Sequence, residues 1–209
     1  MDTAMKQNHC KKTGIFGGTF NPIHCGHLHL AEKALQTAGL DEILFVPSGI
    51  SYMKDQKEIL PARERLEMVS LAIQEYPAFM VSSIETDKQS NSYSHETIRA
   101  LQEAQPDTEY FFLTGADTIF SMEDWKDPVS IFRSVTILAA CRPGVSQDGL
   151  KKQISYLHNQ YQADIRLISA DYVDISSSEI RKAIKSGKSI RGLVPQIVEG
   201  YILKNHLYH

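Results

Sequence analysis

The stretch GGTFNPIHCGH, residues 17–27, decides how this sequence is expected to fold. It follows a short β-rich run at 13–17 and leads into a pattern over 26–38 whose apolar residues fall on one helical face. Gly39 is placed to end that helix as a C-cap. A glycine-rich turn between a strand and a helix suits phosphate, because backbone N–H groups can approach the anion and the helix presents its positive end.

Further β-rich runs alternate with helical patterns along the chain. The runs cover residues 42–47, 79–85, 109–115, 135–140 and 164–169. A second apolar stripe indicates a helix over 62–76, which Pro77 ends. This alternation predicts an α/β fold, a doubly wound parallel sheet with right-handed crossovers. Two helices, at 176–186 and 195–205, follow the last strand directly, so C-terminal helices complete the predicted fold.

The composition limits the classes of function. The 209 residues are 42% hydrophobic, which fits a single domain, predicted over residues 13–209, with residues 1–12 as a flexible N-terminal extension. A net charge of -3 argues against a broad nucleic-acid surface. No apolar run approaches the ~18 residues that a membrane-spanning helix needs, so we expect no membrane partner.

Cysteine usage indicates the compartment. Cys10, Cys25 and Cys141 lie far apart in the sequence and form no Cys-x-x-Cys pair. Free thiols in a reducing cytoplasm are the expected state, and we predict a cytoplasmic protein. The sequence is compatible with a homo-oligomer.

Two histidines stand where the glycine-rich turn meets the first helix. His24 and His27 are three residues apart, so on a helical first turn they project from nearly the same face. Paired imidazole donors beside a helix N-terminus suit the charge that develops on a transferring phosphoryl group. A metal site is the weaker interpretation, because two histidines leave the ligand set incomplete. A lone histidine is more often structural, but the pair in this context favours catalysis.

A second motif, ISSSEIR at residues 175–181, begins the first of the two C-terminal helices. Ser176 is a suitable N-cap, and Glu179 completes the capping-box spacing. The hydroxyls and N–H groups of this helix start can also bind phosphate, and Arg181 adds a fixed cation with a forked donor set. Helix capping and phosphate binding both remain open for the serines.

These two motifs resemble the signatures of the nucleotidyltransferase superfamily. Its members carry a His-x-Gly-His element after a glycine-rich first strand and Ile-Ser-Ser-x-x-Ile-Arg near the C-terminus, and this chain has both in that order. From Thr13 to Tyr208 the chain is similar to bacterial nicotinate-nucleotide adenylyltransferases. The similarity rests on SYS at 92–94 with Thr97, FLTGAD at 112–117, Trp125, CRPG at 141–144, SIR at 189–191 and LVP at 193–195.

The family resemblance implies a reaction and a set of site residues. It implies a Rossmann-like fold, Mg²⁺ as cofactor, and transfer of AMP from ATP to the 5′-phosphate of nicotinate mononucleotide with release of pyrophosphate. The implied catalytic residues are His24, His27 and Arg181. The implied ATP-binding residues also include Gly17, Gly18, Thr19, Phe20, Gly115, Asp117, Ile175, Ser176 and Ser177. The implied mononucleotide-binding residues are Lys54, Tyr93, Thr97 and Trp125, whose ring would stack on the pyridine.

Several of these positions have ordinary structural alternatives. Trp125 is the only tryptophan, and an isolated tryptophan is more often a packing residue. Gly115 to Asp117 could be a strand exit in which the aspartate caps a helix. Tyr93 and Thr97 fit one helix face and could be structural too.

The chain also departs from the family pattern. Where many members have Pro-Pro-His-Lys, it reads SGISYMK at 48–54, so that only Lys54 matches. Ser94 and Glu96 stand where threonine and aspartate are common. Two other functions stay open: the same chemistry on nicotinamide mononucleotide or pantetheine phosphate, and a nucleotide-binding regulatory module without turnover. The presence of both histidines and Arg181 favours an enzyme.

Overall fold

Six parallel strands form one sheet in the computed structural model, which describes residues 10–50, 58–141, 147–168 and 175–209. The strands are β1 (Lys11–Gly18), β2 (Glu42–Pro47), β3 (Phe79–Val81), β4 (Thr108–Gly115), β5 (Thr136–Ala140) and β6 (Ile165–Ile168). Their order is β3-β2-β1-β4-β5-β6. The first half of the chain adds β2 and β3 on one side of β1, and the second half adds β4, β5 and β6 on the other side. The predicted doubly wound parallel sheet is confirmed.

Helices connect the strands and follow the last one. They are α1 (Cys25–Thr37), α2 (Ala62–Ala72), α3 (Ser94–Ala104), α4 (Ala116–Ile119), α5 (Pro128–Ser134), α6 (Gln147–Tyr161), α7 (Ser177–Lys185) and α8 (Gln196–Lys204). Gly39 takes the left-handed conformation after α1, with a φ of 59°, and Ser176 caps α7 by accepting from the Glu179 N–H. Both predicted helix ends are confirmed. Within the described ranges, no helix is long and apolar enough to cross a membrane.

Alternate residues of the strands enter two apolar cores, one on each face of the sheet. Phe111 and Leu113 of β4 belong to the core that α1, α2, α7 and α8 cover. Phe112, between them, belongs to the core that α3 to α6 cover. This period of two is the ordinary alternation of a β-strand. Because helices cover both faces, ligands can reach the sheet at the ends of its strands.

Three element boundaries differ from the sequence prediction by two residues or more. The helix predicted over 62–76 ends at Ala72, well before Pro77. β1 begins at Lys11, because its backbone pairs with β4 and its Nζ lies 2.8 Å from Oε2 of Glu42. The last residues of the predicted N-terminal extension therefore belong to the sheet, while residues 1–9 lie outside the described chain. The strand predicted over 79–85 ends at Val81, where the backbone leaves the sheet in a series of turns.

Candidate active site

Two cavities open where the strand order reverses, beyond the carboxyl ends of β1 and β4. The first, here called the histidine cavity, has a volume of about 590 Å³ and includes His27 and Arg181 in its lining. The second, the tryptophan cavity, has a volume of about 400 Å³ and includes Trp125. We call the residues that line both cavities the shared wall: Gly17, Gly18, Thr19, Thr114 and Thr118. Ligands of open α/β sheets collect at such a switch point.

The glycine turn of the shared wall is closely packed against an aromatic ring. A Cβ atom on Gly18 would lie 3.0 Å from Cζ of Phe20. Phe20 itself is buried, with a φ of 47° in the left-handed region. Its ring packs edge-on against the imidazole of His27, with centroids 5.0 Å apart. Any residue larger than glycine at 18 would have to displace the ring that supports His27.

Helix α7 holds the turn from the other end of the sequence. Ser177 donates its hydroxyl to the Pro22 carbonyl at 2.9 Å. Arg181 donates from Nη1 to the Asn21 carbonyl at 3.0 Å. The two motifs predicted from the sequence therefore meet in space, and both Ser177 and Arg181 line the histidine cavity.

The buried side chain of Asn21 fixes the turn to two further segments. Its Nδ2 donates to the Glu58 carbonyl at 2.8 Å, and its Oδ1 accepts from the Leu60 N–H at 3.2 Å. The same Oδ1 accepts the phenol of Tyr208 at 2.9 Å. Burial raises the pKa of Tyr208, so its hydroxyl remains a donor across the working pH range.

The two histidines stack at the start of α1. Their ring centroids are 3.6 Å apart and the planes differ by 24°. The backbone N–H of His24 donates to Nδ1 of His27 at 3.2 Å, which leaves the proton of a neutral His27 ring on Nε2. His27 lines the histidine cavity, whereas His24 is 6% exposed and serves as the N-cap residue. The predicted shared face is confirmed, with His27 as the member that reaches the cavity.

The ISSSEIR motif divides between capping and the cavity. Ser176 caps α7, because its hydroxyl oxygen accepts from the Glu179 N–H at 3.2 Å, and the same hydroxyl donates to the Glu179 carboxylate at 2.9 Å. Ile175 packs against an apolar core. Only the later residues of the motif, Ser177 and Arg181 among them, line the histidine cavity. Ile175 and Ser176 were predicted to bind ATP. In the structure Ile175 packs against the core and Ser176 caps the helix, so both have structural roles.

A carboxylate stands at the mouth of the histidine cavity. Glu58 lies 3.6 Å from Nη2 of Arg181 through one oxygen and 3.6 Å from Nζ of Lys185 through the other. Its side chain is 65% exposed, so solvent screens both ion pairs and neither stabilises the fold much. The cations are therefore available to a more highly charged ligand.

The exit of β4 supplies the opposite side of the histidine cavity. Gly115 lines it and is the N-cap residue of α4. Asp117 lies in the first turn of α4, exposed, where a carboxylate is favourable beside the helix N-terminus. It is not the N-cap, so the alternative of an aspartate cap is wrong.

Trp125 both packs and lines a cavity. Its ring is half-buried, meets Phe112 edge-on with centroids 6.0 Å apart and borders an apolar core. The remaining ring surface faces the tryptophan cavity, beside Ser94 and Lys126. The packing alternative and the ligand-binding prediction are thus compatible.

Glu123 anchors the loop that carries Trp125. Its Oε1 accepts the hydroxyls of Tyr156 at 3.2 Å and Tyr161 at 2.9 Å, while Oε2 accepts from Gln153 at 3.3 Å. The hydrogen bond to the carboxylate raises the pKa of Tyr161 to about 12. Helix α6 therefore holds the turn of 3-10 helix at Met122–Asp124 that precedes the tryptophan.

Comparisons with known proteins agree with this geometry. The model of the cytidylyltransferase-like family matches residues 15–183. Proteins named "Probable nicotinate-nucleotide adenylyltransferase" from Lachnoclostridium phytofermentans and Dehalococcoides mccartyi are 38% and 40% identical over 198 residues. These alignments cover 95% and 94% of this chain, and 99% and 97% of the relatives.

The chain belongs to the nicotinate-nucleotide adenylyltransferase family. A solved structure of the Plasmodium falciparum nicotinic acid mononucleotide adenylyltransferase, complexed with NaAD, has a TM-score of 0.77 and 19% identity. That comparison covers 95% of this chain and 97% of the solved one, and it shows a common fold. The resemblance drawn from the sequence motifs is confirmed.

The structure places the residues that were expected to bind the mononucleotide in different surroundings. Thr97 is 2% exposed and donates to Oε1 of Glu85 at 2.8 Å, so it stands behind the cavity lining. Tyr93 is the N-cap residue of α3, between the lining residues Ser92 and Ser94. Lys54 lies outside the described residues.

Sequence reasoning missed several lining residues of this adenylyltransferase-family site. Glu85 and Lys126 line the tryptophan cavity, and Thr118 lines both cavities. A signal existed for Glu85, because it closes a run predicted to be a strand of a parallel sheet, whose carboxyl end borders the site. Lys126 directly follows Trp125. Thr118 had no signal of its own, since it reaches the site through the turn of α4.

Proposed function

We propose that this chain transfers AMP from ATP to nicotinate mononucleotide, producing nicotinate adenine dinucleotide and pyrophosphate. The observation that carries the proposal is the shared wall, at which two cavities meet on one glycine turn. Both volumes lie within the roughly 300–1,000 Å³ of small-molecule sites. Two substrates can thus be bound with their phosphates side by side, as a group transfer requires. Membership of the nicotinate-nucleotide adenylyltransferase family supports the choice of substrates.

ATP is assigned to the histidine cavity. Its lining combines the glycine turn, the imidazole of His27, the hydroxyl of Ser178 and the guanidinium of Arg181. These are donors and a cation, which suit a triphosphate. The tryptophan cavity has an aromatic surface and several hydroxyls, which suit a pyridine ring and its ribose.

The transfer is an in-line displacement without a covalent enzyme intermediate. An oxygen of the acceptor phosphate attacks the α-phosphorus of ATP and forms a new P–O–P linkage. The bond from the α-phosphorus to the oxygen bridging the β-phosphate breaks, and pyrophosphate leaves with its electrons. A phosphate monoester has a second pKa of about 6, so the nucleophile is already ionised at pH 7. His27 Nε2–H and Arg181 stabilise the charge on the transferring group.

We infer that Mg²⁺ enters with the nucleotide. Among the residues that the structure describes, no three histidine, cysteine, aspartate or glutamate side chains converge as a ligand set. Mg²⁺ at nucleotide sites keeps several waters and binds substrate phosphates with one or two carboxylates, so a protein-built cage is not needed. Glu58, in the lining of the histidine cavity, is the residue placed to bind it. The ion would neutralise the departing pyrophosphate.

We place the reaction in the cytoplasm. Cys10, Cys25 and Cys141 are free thiols, which is the usual state in a reducing compartment. ATP and the mononucleotide are the partners that the proposal requires. It needs neither nucleic acid nor membrane, and the homo-oligomer remains a prediction from the sequence.

Pyrophosphate release from ATP tests this function against its rivals. The acceptors are nicotinate mononucleotide, nicotinamide mononucleotide and pantetheine phosphate, with an acceptor-free reaction as the blank. We expect turnover that depends on a mononucleotide and is greatest with the acid. Turnover on pantetheine phosphate alone would reassign the acceptor, and none on any acceptor would favour a regulatory module.

A further inference from the structure

Arg65 is a buried cation that joins three segments around the site. Its side chain is 2% exposed. Nη1 donates to the Thr19 carbonyl at 2.7 Å and Nη2 to the Ser48 carbonyl at 2.6 Å. Nε donates to the Leu60 carbonyl at 2.9 Å. The guanidinium thus fastens the shared wall, through Thr19, to the backbone at the end of β2.

The next residue of that backbone is Gly49, which is held from the other side. Its N–H bonds to the carboxylate of Glu85, while its carbonyl lies 3.5 Å from Nη2 of Arg65. A Cβ atom at Gly49 would lie 2.3 Å from the Glu85 carbonyl oxygen and 2.7 Å from Oγ of Ser92. Only glycine fits between the arginine and the glutamate.

Glu85 is in turn fixed by α3. It is buried, lines the tryptophan cavity and accepts the Thr97 hydroxyl at 2.8 Å. Burial raises the pKa of its carboxyl group, against the hydrogen bonds from Thr97 and Gly49 and the nearby charges of Lys88 and Arg65. A buried carboxylate with two fixed donors is expensive to disturb.

We propose that Arg65, Glu85 and Thr97 act as positioning residues for the transfer step. They clamp the backbone of residues 48–49 against Thr19, and this clamp sets the spacing between the nucleotide and the acceptor phosphate. The inference rests on the proposed transfer, since the clamp runs from the shared wall to the side of the tryptophan cavity. Misplacement of reacting groups by about 1 Å can lower a rate roughly a hundredfold without loss of binding.

The test removes one hydrogen bond at a time. Thr97→Val removes the hydroxyl that fixes Glu85, and Thr97→Ser retains it. Glu85→Gln keeps the side-chain shape but replaces one acceptor oxygen with an amide donor, so that it can no longer accept from Thr97 and Gly49 through two oxygens. We expect kcat to fall about tenfold or more in Thr97→Val and Glu85→Gln, with recovery in Thr97→Ser. Binding should be retained: the dissociation constants for a non-hydrolysable ATP analogue and for nicotinate mononucleotide, measured separately, should change less than about threefold.

Thr13→Val is the matched control. Thr13 is 1% exposed and donates to the Glu42 carboxylate at 2.9 Å, a threonine–glutamate bond that is part-buried and lies at the amino ends of the strands. It should lower the melting temperature as Thr97→Val does and leave kcat per folded molecule unchanged. Equal kcat in Thr97→Val and wild type, or substrate binding that weakens as much as kcat falls, would overturn the clamp.

The wild type is measured first, so that the two proposals fail separately. No turnover on nicotinate mononucleotide would exclude the proposed function. The variants would then be compared on whichever acceptor supports turnover. No turnover on any acceptor overturns both proposals. Arg65→Lys keeps the charge but can reach fewer of the three carbonyls, so its kcat should fall even where its fold is retained.

Discussion

The histidine cavity and the tryptophan cavity are assembled differently, although they share five wall residues. Two continuous motifs, residues 17–27 and 175–181, supply most of the chemistry of the histidine cavity. The tryptophan cavity collects single residues from separate segments, such as Ser48, Glu85 and Trp125. Variants on the histidine side should therefore change the rate, and variants on the tryptophan side, apart from the positioning residue Glu85, should change acceptor binding and choice.

The largest expected effect tests the histidine side. Replacing His27 or His24 with alanine should lower kcat by about a hundredfold or more, because a preorganised donor at the transferring phosphoryl group is lost or misplaced. Steady-state pyrophosphate release measures it. His206→Ala, at an exposed C-terminal position, is the control and should be active. Near-normal turnover in His27→Ala would contradict the assignment of rate to this cavity.

Arg181 should give the next largest loss. Arg181→Ala removes the guanidinium that holds the turn and that we assign to the triphosphate, so the ATP KM should rise and kcat should fall, together by about a hundredfold. Arg181→Lys keeps the charge without the planar fork and should recover only part. Arg99→Lys, on the exposed face of α3, is the control. Unchanged ATP kinetics in Arg181→Ala would return the residue to a structural role.

The choice between acid and amide examines the tryptophan side. A site selective for the acid meets the ring carboxylate with hydrogen-bond donors, whereas a carboxamide presents a donor of its own. An unmatched buried donor costs about 1–3 kcal/mol, so kcat/KM should favour nicotinate over nicotinamide mononucleotide at least tenfold. Competition between the two acceptors gives this ratio directly. Equal use would reject the specificity and leave the transfer chemistry standing.

Trp125→Ala should separate binding from rate. Ring stacking that is equal in the ground and transition states changes KM, so the acceptor KM should rise about tenfold with little change in kcat. Phe120→Ala, an exposed aromatic in the same loop region, should leave the acceptor KM alone. A fall in kcat with constant KM would show that Trp125 acts on the transfer step and not on acceptor binding.

The smallest effect concerns the support of the tryptophan loop. Glu123 raises the pKa of Tyr161 to about 12. The hydrogen bond from the protonated phenol therefore stabilises the fold fully below about pH 10, the usual pKa of tyrosine in an unfolded chain. This stabilisation is lost as the pH rises through about 12. Glu123→Gln should return the phenol toward 10 in an ultraviolet titration. The acceptor KM should rise about two- to threefold, since the turn before Trp125 loosens. An unchanged titration would exclude Glu123 as the partner.

How far the sequence predicted the fold depends on whether the cause was local. Gly39 and Ser176 were assigned correctly, because a helix end is decided by a few neighbouring residues. The doubly wound parallel sheet followed from the alternation of strands and helices with right-handed crossovers, whereas the order of its strands comes from the structure. β3 was predicted too long, because only its pairing with β2 shows where it ends.

The candidate site divides in the same way. His27 and Arg181 are part of continuous motifs, and the structure places both in the lining of the histidine cavity, while His24 stacks on His27. Thr97 was expected to contact the mononucleotide, but it lies behind the cavity lining and bonds to Glu85 instead. The sequence could not show this, because the burial of Thr97 depends on how α3 packs. Arg65 carried no signal, since a lone arginine on a helical pattern usually faces solvent.

The shared wall also has a pharmacological consequence. Because the five residues of the shared wall border both cavities, one molecule with a short linker could occupy both cavities at once. Such a bisubstrate ligand would lose translational freedom once instead of twice, and its second half would bind at an effective concentration in the millimolar range. Weak fragments found separately for each cavity would become tight inhibitors when joined across the glycine turn.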